Sequence, residues 1–502
     1  MSKKLTNIEH YPLVKNKLNL IPYLFAKTKN ILPLEQKEKE VLVAICDPYN
    51  LEALQEIQLF LQKKIIPVHC SKEALESAIE KCYQKQKEIA PQEKTSQKDS
   101  IKLIDSIEGY DLLEQTSENP VIRLFNMILT DAIGSDASDI HFEPKEKGLQ
   151  VRFRIDGMLQ KRYDPPKDFQ NQLITRIKVM AKLDIAEHRL PQDGRIKLKM
   201  GEREIDFRVS TIPIVYGERV VLRILDKGNV TLGLNHIGMN RNTLSLFRKL
   251  IKVSEGIVLV TGPTGSGKTT TLYSALTEIH SEEVNIMTIE DPVEYKLFQI
   301  SQIGVNPKIN LTFSTGLRHI LRQDPDVIMI GEIRDKETAE IAIQASLTGH
   351  LVLSTLHTND APSAISRLTD MGIEPYLLSS SIMGVLAQRL VRKICPHCKV
   401  SYHPLPQEIE ELSLPPASYE FYYGKGCESC FDSGYKGRHA IYELMPMNLD
   451  IQKQIHQNID INELRFVSGI ASLRENGAEL VKQGITTSAE VLRVTRLSVG
   501  EF

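Results

Sequence analysis

The chain has 502 residues, too many for one hydrophobic core, and this length predicts three or four domains. With 41% hydrophobic and 25% charged residues and a formal net charge of −2, it is an ordinary globular chain without the basic field that attracts nucleic acid. No apolar run approaches the roughly 18 residues of a membrane-spanning helix, and the N-terminus has no signal-peptide core. We therefore expect a cytoplasmic protein that could still dock on a membrane complex.

The first part of the chain predicts a small domain followed by a linker. Residues 1–83 alternate strand-like and helix-like segments, which is typical of a small α/β module. Residues 84–100 are charged and almost free of apolar side chains, as in a flexible linker. Cys46, Cys70 and Cys82 occur singly, and we interpret them as ordinary thiols.

Residues 101–235 predict a second N-terminal domain of the α+β class. An amphipathic helix, "NPVIRLFNMILTDAI", precedes two stretches in which apolar and polar residues alternate with the period of a strand. Asp156-Gly157 separates two such strands and favours a hairpin turn. Arg152, Arg154, Arg208 and Arg223 lie on the polar faces of predicted strands, and most of these four are interpreted as solvated side chains.

A third region, residues 236–394, predicts a parallel α/β core that binds a nucleotide. Its motif G-x-x-x-x-G-K-[ST] lies between an apolar run and a helix-forming stretch. In such a loop backbone N–H groups cradle phosphates, the lysine reaches the β and γ oxygens, and the threonine hydroxyl meets Mg²⁺. The motif predicts ATP or GTP with Mg²⁺, and the residues expected to hold them are Gly262, Pro263, Thr264, Gly265, Ser266, Gly267, Lys268, Thr269 and Thr270.

Acidic and histidine side chains follow further strands of this region. Glu290 and Asp291 end one apolar run, and Glu332 follows another. Carboxyl ends of parallel strands gather ligand chemistry, and phosphoanhydride hydrolysis needs one carboxylate for Mg²⁺ and one for the attacking water. Which of Glu290 and Glu332 is the base stays open. His357, after a third strand, could hydrogen-bond a phosphate or be a structural residue.

Two C-x-x-C pairs predict a metal site in residues 395–440. Cys395, Cys398, Cys427 and Cys430 have the pairing of a four-thiolate structural zinc site, and redox pairs or coincidence are the alternatives. The nearby His397 and His403 are interpreted as bystanders, because four thiolates complete the shell. Residues 441–502 predict a helical C-terminal region.

Four blocks of the third region resemble a known superfamily. "GPTGSGKTTTLY", "IEDPVE", "LRQDPDVIMIGEIRDKETA" and "TGHLVLSTLHTNDA" stand in the order of the phosphate loop, Asp box, Walker B and His box of the secretion ATPases of type II secretion systems and type IV pili. "ASDIHFEP", "VRFRIDG" and "LPQDGRI" are similar to its second N-terminal domain, and "AQRLVRKICPHC" and "GRHAIYEL" to its tetracysteine region. The resemblance covers roughly residues 105 to 495 and, more weakly, the N-terminal module.

This resemblance implies a RecA-like ATPase domain and a ring of six subunits. The second N-terminal domain would arch over ATP, and Arg208 and Arg219 are the candidates for reaching its phosphates, with Arg195 a weaker one. The implied catalytic set is Lys268, Glu290, Glu332 and these two arginines.

The cysteine pairs and the absence of a retraction-motor motif predict the branch of the superfamily to which the chain belongs. The chain has the cysteine pairs but no "AIRNLIRE"-like motif, which argues against a pilus retraction motor. We expect the type II secretion ATPase, which assembles a pseudopilus and docks through its first domain on an inner-membrane platform protein. The pilus extension ATPase is the alternative.

Two other classes of function remain to be weighed. A DNA translocase or helicase would favour stacking aromatics and basic blocks, whereas the chain has no Trp and only 6% aromatic residues, so we expect no nucleic-acid partner. A nucleotide-regulated scaffold would have lost a catalytic acid, and both Glu290 and Glu332 are present.

Overall fold

The structure is a computed structural model that falls into two compact units, Met1–Ile107 and Glu108–Phe502. The predicted linker and Cys82 lie outside the described residues. The structure describes residues 30–37, 40–46, 63–72, 120–200, 203–226, 232–457 and 469–495, with the scattered positions 11, 21, 26, 54, 57–58, 61, 74–75, 78–79, 110–111 and 464.

The first unit contains a three-stranded sheet. Strands β1 (Ile31–Gln36) and β2 (Glu40–Ile45) are antiparallel, and β2 and β3 (Lys64–His69) are parallel. The sequence predicts β2 and β3 but not β1, whose Pro33 and charged end weaken the strand pattern. An N-terminal α/β module is therefore confirmed.

The second unit begins with a seven-stranded sheet, in the order β4-β8-β9-β10-β5-β6-β7. Its neighbours are antiparallel except for the β4–β8 pair. Two helices and strands β5, β6, β8, β9 and β10 share one buried core. The elements are β4 (Tyr110–Asp111), α1 (Pro120–Gly134), β5 (Asp139–Lys145), β6 (Gly148–Ile155), β7 (Met158–Tyr163), α2 (Lys167–Met180), β8 (Gln192–Met200), β9 (Arg203–Ile214) and β10 (Gly217–Asp226).

The predicted strand patterns of this domain are confirmed residue by residue. Along β6 every second side chain is buried, which is the alternation expected of a strand with one face on the core. Asp156 and Gly157 have φ values of +49° and +82°, as a two-residue hairpin turn between β6 and β7 requires.

A second seven-stranded sheet forms the nucleotide-binding region, in the order β13-β12-β14-β15-β11-β16-β19. All its pairings are parallel except that of β16 with β19. The elements are α3 (Arg241–Leu250), β11 (Gly256–Thr261), α4 (Lys268–Ile279), β12 (Ile286–Glu290), β13 (Ser301–Gly304), α5 (Phe313–Ile320), β14 (Val327–Ile330), α6 (Lys336–Leu347), β15 (Leu351–Leu356), α7 (Pro362–Asp370), α8 (Pro375–Ser381) and β16 (Ile382–Ile394).

The last strand of this sheet comes from beyond the predicted core range of 236–394. Strand β19 returns to pair with β16 after the cysteine region, so the sheet continues on both sides of the insert. The remaining elements are β17 (Lys399–Tyr402), α9 (Pro406–Glu411), β18 (Phe421–Gly424), β19 (Tyr435–Pro446), α10 (Leu449–His456), α11 (Leu473–Lys482) and α12 (Ser488–Val494). In the part of the chain that the structure describes, no helix combines the length and apolarity needed to cross a membrane.

The hairpin β6–β7 joins the two halves of the second unit. The carboxylate of Asp156 accepts a hydrogen bond from the backbone N–H of Gly437 at 2.7 Å and lies 3.3 Å from Arg438 Nε. Beside it the guanidinium of Arg162 stacks on the ring of Phe431, 3.5 Å from its centroid. The turn predicted from Asp156-Gly157 thus also carries a contact between domains.

Candidate functional site

The glycine-rich loop leaves the fully buried strand β11 and enters α4. Gly262, Gly265 and Gly267 have φ values of +148°, +79° and +90°, a region that L side chains rarely adopt. Because α4 begins at Lys268, its first backbone N–H groups are available to an anion at this end of the helix.

Lys268 is buried, with 8% of its surface exposed. Its ammonium donates to the carbonyl oxygens of Gly262 at 2.8 Å and Pro263 at 3.2 Å. Burial lowers the pKa of Lys268 to about 8, although the carboxylate of Glu332 opposes that shift. The lysine therefore lies under the loop and is ready to exchange carbonyl partners for phosphate oxygens.

Glu332 and His357 lie beside Lys268, after the neighbouring strands β14 and β15. Nε2 of His357 is 3.5 Å from Oε2 of Glu332, and Arg334 forms a short ion pair with the other carboxylate oxygen. Partial burial and the charge of Lys268 lower the pKa of His357, more than Glu332 raises it. Because parallel strands end at one edge, these three residues are close enough for their charges to shift one another's pKa.

Glu290 occupies a different environment. It is the last residue of β12 and only 3% exposed. Its carboxylate accepts hydrogen bonds from Thr288 Oγ1 at 2.7 Å, from Gln302 Nε2 at 3.0 Å and from the hydroxyl of Tyr273. Burial and this hydrogen bond raise the pKa of Tyr273. Of the two candidate acids, Glu290 is enclosed by hydrogen-bond donors and Glu332 is coupled to Lys268.

Arg208 reaches from the second N-terminal domain to the segment after Glu290. Its Nη2 is 3.3 Å from Oε2 of Glu294. On the sheet Arg208 lies opposite Arg195 on one side and Arg223 on the other, so three arginines form a row across β8, β9 and β10. Two members of this row have acidic partners, because Arg208 pairs with Glu294 and Arg223 lies 3.0 Å from Asp139.

Arg219 lies elsewhere. Its Nη2 is 2.8 Å from the buried carboxylate of Glu143 and 3.3 Å from Nδ1 of His141. Arg219 and Arg223 are four positions apart along β10, about 13 Å of strand. The structure therefore does not bring Arg208 and Arg219 together.

Three arginines interpreted as solvated are in fact ion-paired. Arg152 is 2.6 Å from the carboxylate of Glu143, and Arg154 and Arg223 flank Asp139 at 3.7 and 3.0 Å. Both acids are buried, on the face of β5 opposite the apolar core. Arg223 stays exposed, as expected, but the pairing of these charges was not expected, because alternation along one strand does not show the charges of the neighbouring strand.

The four paired cysteines converge. Their Sγ atoms lie within 4.8 Å of one another, with three separations of 3.7 to 3.8 Å. A tetrahedron with Zn–S bonds of about 2.3 Å has edges of about 3.8 Å, so the donor set fits zinc. Burial would raise the pKa of Cys430, but backbone N–H groups of Cys427 and Gly434 outweigh it and lower the pKa. His397 and His403 are outside the cluster.

Sequence reasoning missed three kinds of contact in this region. Arg334 is visible in "GEIRD", two residues after Glu332, but nothing in the letters shows that it pairs with that acid. Tyr273 and Gln302 come from two other elements to enclose Glu290. Gln388 of β16 contacts the glycine-rich loop from a position 122 residues away along the chain, and no sequence motif indicates this contact.

Comparisons with known proteins identify the family. The sequence model described as "Type II/IV secretion system protein" matches residues 114–493, and that of the MshEN domain matches residues 3–89. Type II secretion system protein E of Pseudomonas aeruginosa is 49% identical over 484 residues, 95% of this chain and 96% of the relative. The type IV pilus assembly ATPase PilB of Myxococcus xanthus is 43% identical over 496 residues, 97% of this chain and 88% of the relative.

A solved structure supports the same conclusion. The crystal structure of the pilus retraction motor PilT with bound ADP is 27% identical and superposes with a TM-score of 0.51, over 75% of this chain and 97% of that one. The predicted mixed α/β fold and the predicted enzyme class, a secretion ATPase, are confirmed. This chain belongs to the family of type II/IV secretion system proteins, as its motif blocks predict.

Proposed function

We propose that this chain hydrolyses MgATP to drive pseudopilus assembly and protein export in a type II secretion system. The observation that carries the proposal is the convergence of Lys268, Glu332 and His357 beside a phosphate loop, within a chain that matches a type II secretion protein over nearly its whole length. Phosphoryl transfer depends mainly on positioning and charge, and these residues supply both.

The phosphate loop would hold the nucleotide. Backbone N–H groups of the loop and of the first turn of α4 would face the phosphates, and Lys268 would exchange its bonds to Gly262 and Pro263 for oxygens of the β and γ groups. The hydroxyl of Thr269, in the first turn of α4, would bind Mg²⁺, which neutralises charge on the transferred phosphoryl group.

Glu332 is our candidate for the group that orients and deprotonates the attacking water. Its carboxylate is coupled to Lys268 and His357, and it must exchange its pair with Arg334 to accept a proton. His357 would hydrogen-bond the γ-phosphate. Glu290, held by three donors, is the candidate for ordering water on Mg²⁺.

Arginines of the second N-terminal domain would complete the site. Arg208 is the stronger candidate, because its partner Glu294 belongs to the segment directly after Glu290. The resemblance implies the same role for Arg219, but its contact with buried Glu143 supports a structural role instead. A guanidinium that reaches the phosphates only after domain closure would report the bound state.

The four cysteines would hold one structural Zn²⁺ that ties β17, β18 and the start of β19 together. Four thiolates leave no open coordination position, so the metal would contribute stability and no step of hydrolysis.

The proposed oligomer and its membrane partner rest on the resemblance to this superfamily. We propose a homohexamer in the cytoplasm that associates with the inner membrane through a platform protein, which binds the N-terminal module. The relative PilB supports pilus extension as a second candidate function, since the alignment with it covers 97% of this chain at 43% identity.

Two measurements test the proposal. Wild-type hydrolysis of ATP should depend on Mg²⁺, should be abolished in Lys268→Ala, and should not change when DNA is added. The full chain should co-purify with the cytosolic part of the type II platform protein from the same genome, and not with the pilus equivalent. Binding to the pilus protein alone would favour the second candidate, and DNA-stimulated turnover would contradict both.

A further inference from the structure

We propose that Gln388 is a positioning residue of the phosphate loop: it fixes the peptide unit between Ser266 and Gly267, and thereby one N–H group of the phosphate cradle. The inference rests on the proposed function, because it concerns how this loop binds the phosphates of ATP.

The side chain of Gln388 bridges the loop and the helix that follows it. Its Nε2 donates to the carbonyl oxygen of Ser266 at 2.8 Å. Its Oε1 accepts from Thr271 Oγ1 at 2.7 Å, which fixes the orientation of the amide. Gln388 is therefore held at both ends, and one end is backbone of the phosphate loop.

Peptide geometry converts this contact into a constraint on the phosphate site. In a planar trans peptide the carbonyl and the next N–H point in opposite directions. A Ser266 carbonyl that faces Gln388 therefore turns the Gly267 N–H away from Gln388. Gly267 has φ = +90° and no Cβ, so without this hydrogen bond the peptide unit can rotate at low cost.

Gln388 and Thr271 are buried, so bulk water does not compete for these hydrogen bonds. Gln388 is 2% exposed and Thr271 1%. A Cβ added to Gly267 would lie 2.7 Å from Gln388 Nε2, and one added to Gly262 would lie 2.4 Å from the Gln388 carbonyl oxygen. Strand β16 therefore packs directly against the loop glycines, and a side chain without a donor at position 388 would leave the Ser266 carbonyl without this hydrogen bond.

The substitution Gln388→Met tests the role, because it keeps the length of the side chain and removes the donor. Binding of MgATP to the full chain should weaken roughly ten- to a hundredfold, and KM should rise with it, whereas kcat should fall less. Gln344→Met, at an exposed position of α6 in the same domain, is the matched control and should bind as the wild type does.

Variants of Thr271 separate positioning from packing. Thr271→Val loses the donor that orients Gln388 and should weaken MgATP binding in the same direction, whereas Thr271→Ser keeps the hydroxyl and should bind normally. Equal losses of MgATP affinity in these two variants would overturn the proposal that Thr271 orients Gln388 through its hydroxyl.

Thermal unfolding distinguishes this role from general destabilisation. If Gln388→Met lowers only the melting temperature, while its folded molecules bind MgATP as the wild type does, the proposal is overturned. Affinity within twofold of the wild type overturns it as well. Failure of the wild type to bind MgATP, measured beside Lys268→Ala, would instead overturn the proposed function and the role of Gln388 with it.

Discussion

Lys268 is the residue whose charge state links the local environment to nucleotide binding. Burial lowers its pKa to about 8, and only the ammonium form attracts phosphate. A bound phosphate raises the pKa of Lys268 in the complex, so affinity should fall by up to tenfold per pH unit as pH rises above about 8, until that higher pKa is reached.

The dissociation constant of a fluorescent ATP analogue, measured from about pH 7 to 9.5, checks this sign. Phosphate ionisation is complete over most of that range, so it contributes little. Lys268→Arg keeps its charge throughout and should remove the dependence. A wild-type affinity that stays constant up to about pH 9.5 would contradict a lowered pKa of Lys268.

Glu332 is expected to act in the transition state rather than in binding. Glu332→Gln should lower kcat by roughly 10²- to 10⁴-fold, because the amide cannot accept a proton, and should leave KM for ATP nearly unchanged. Steady-state hydrolysis measures both constants. Glu340→Gln, at an exposed position of α6, is the control and should be neutral.

If Glu332→Gln retained its kcat, the base would be Glu290. That outcome would also require the donors around Glu290 to rearrange before the water is activated, since all three bind its carboxylate in this structure.

At the scale of the element, the cysteine cluster holds a region with little core of its own. Replacing Cys395 and Cys398 by Ser should release about one Zn²⁺ per chain and expose residues 395–434 to proteolysis, because two of four metal bonds are lost. Metal analysis of chains prepared without chelators, with Cys46→Ser as control, checks the stoichiometry. Wild-type chains with substantially less than one zinc would rule the site out.

Arg208 on β9 and Arg219 on β10 have different partners, so replacing them should have different effects. Arg208→Ala removes the contact to Glu294, and kcat should fall about ten- to a hundredfold while ATP affinity and stability change little. Arg219→Ala removes a partner of buried Glu143 and should chiefly lower the free energy of unfolding.

Steady-state kinetics and chemical denaturation on both variants make the comparison. If both variants lost kcat equally while keeping the stability of the wild type, Arg219 would also act in the active site. If Arg208→Ala kept the kcat of the wild type, Arg208 would not take part in hydrolysis.

At the scale of the whole molecule, a ring should make turnover depend on concentration. If the closed site forms only when neighbouring subunits hold the second N-terminal domain over ATP, specific activity should rise with protein concentration until assembly is complete. Hydrolysis measured beside light scattering should show activity and mass rising together. A monomer with constant specific activity would contradict the ring.

Local patterns of the sequence determined the motifs and much of the fold. The phosphate loop, the acids at strand ends, the alternation in β6 and the cysteine pairs are properties of neighbouring residues, and periodicity or spacing expresses them directly. The superfamily follows from the order of such blocks. Strand β1 was missed because its local pattern is weak.

Tertiary structure decided which side chains meet. Arg208 faces Glu294, Arg219 faces Glu143, and Gln388 holds the phosphate loop, all across long stretches of chain. The sheet order places β16 beside β11 and brings β19 back from beyond the cysteines. Such contacts depend on how sheets pair and domains pack, and no local pattern of residues encodes the partner, so sequence alone could name these side chains but not their roles.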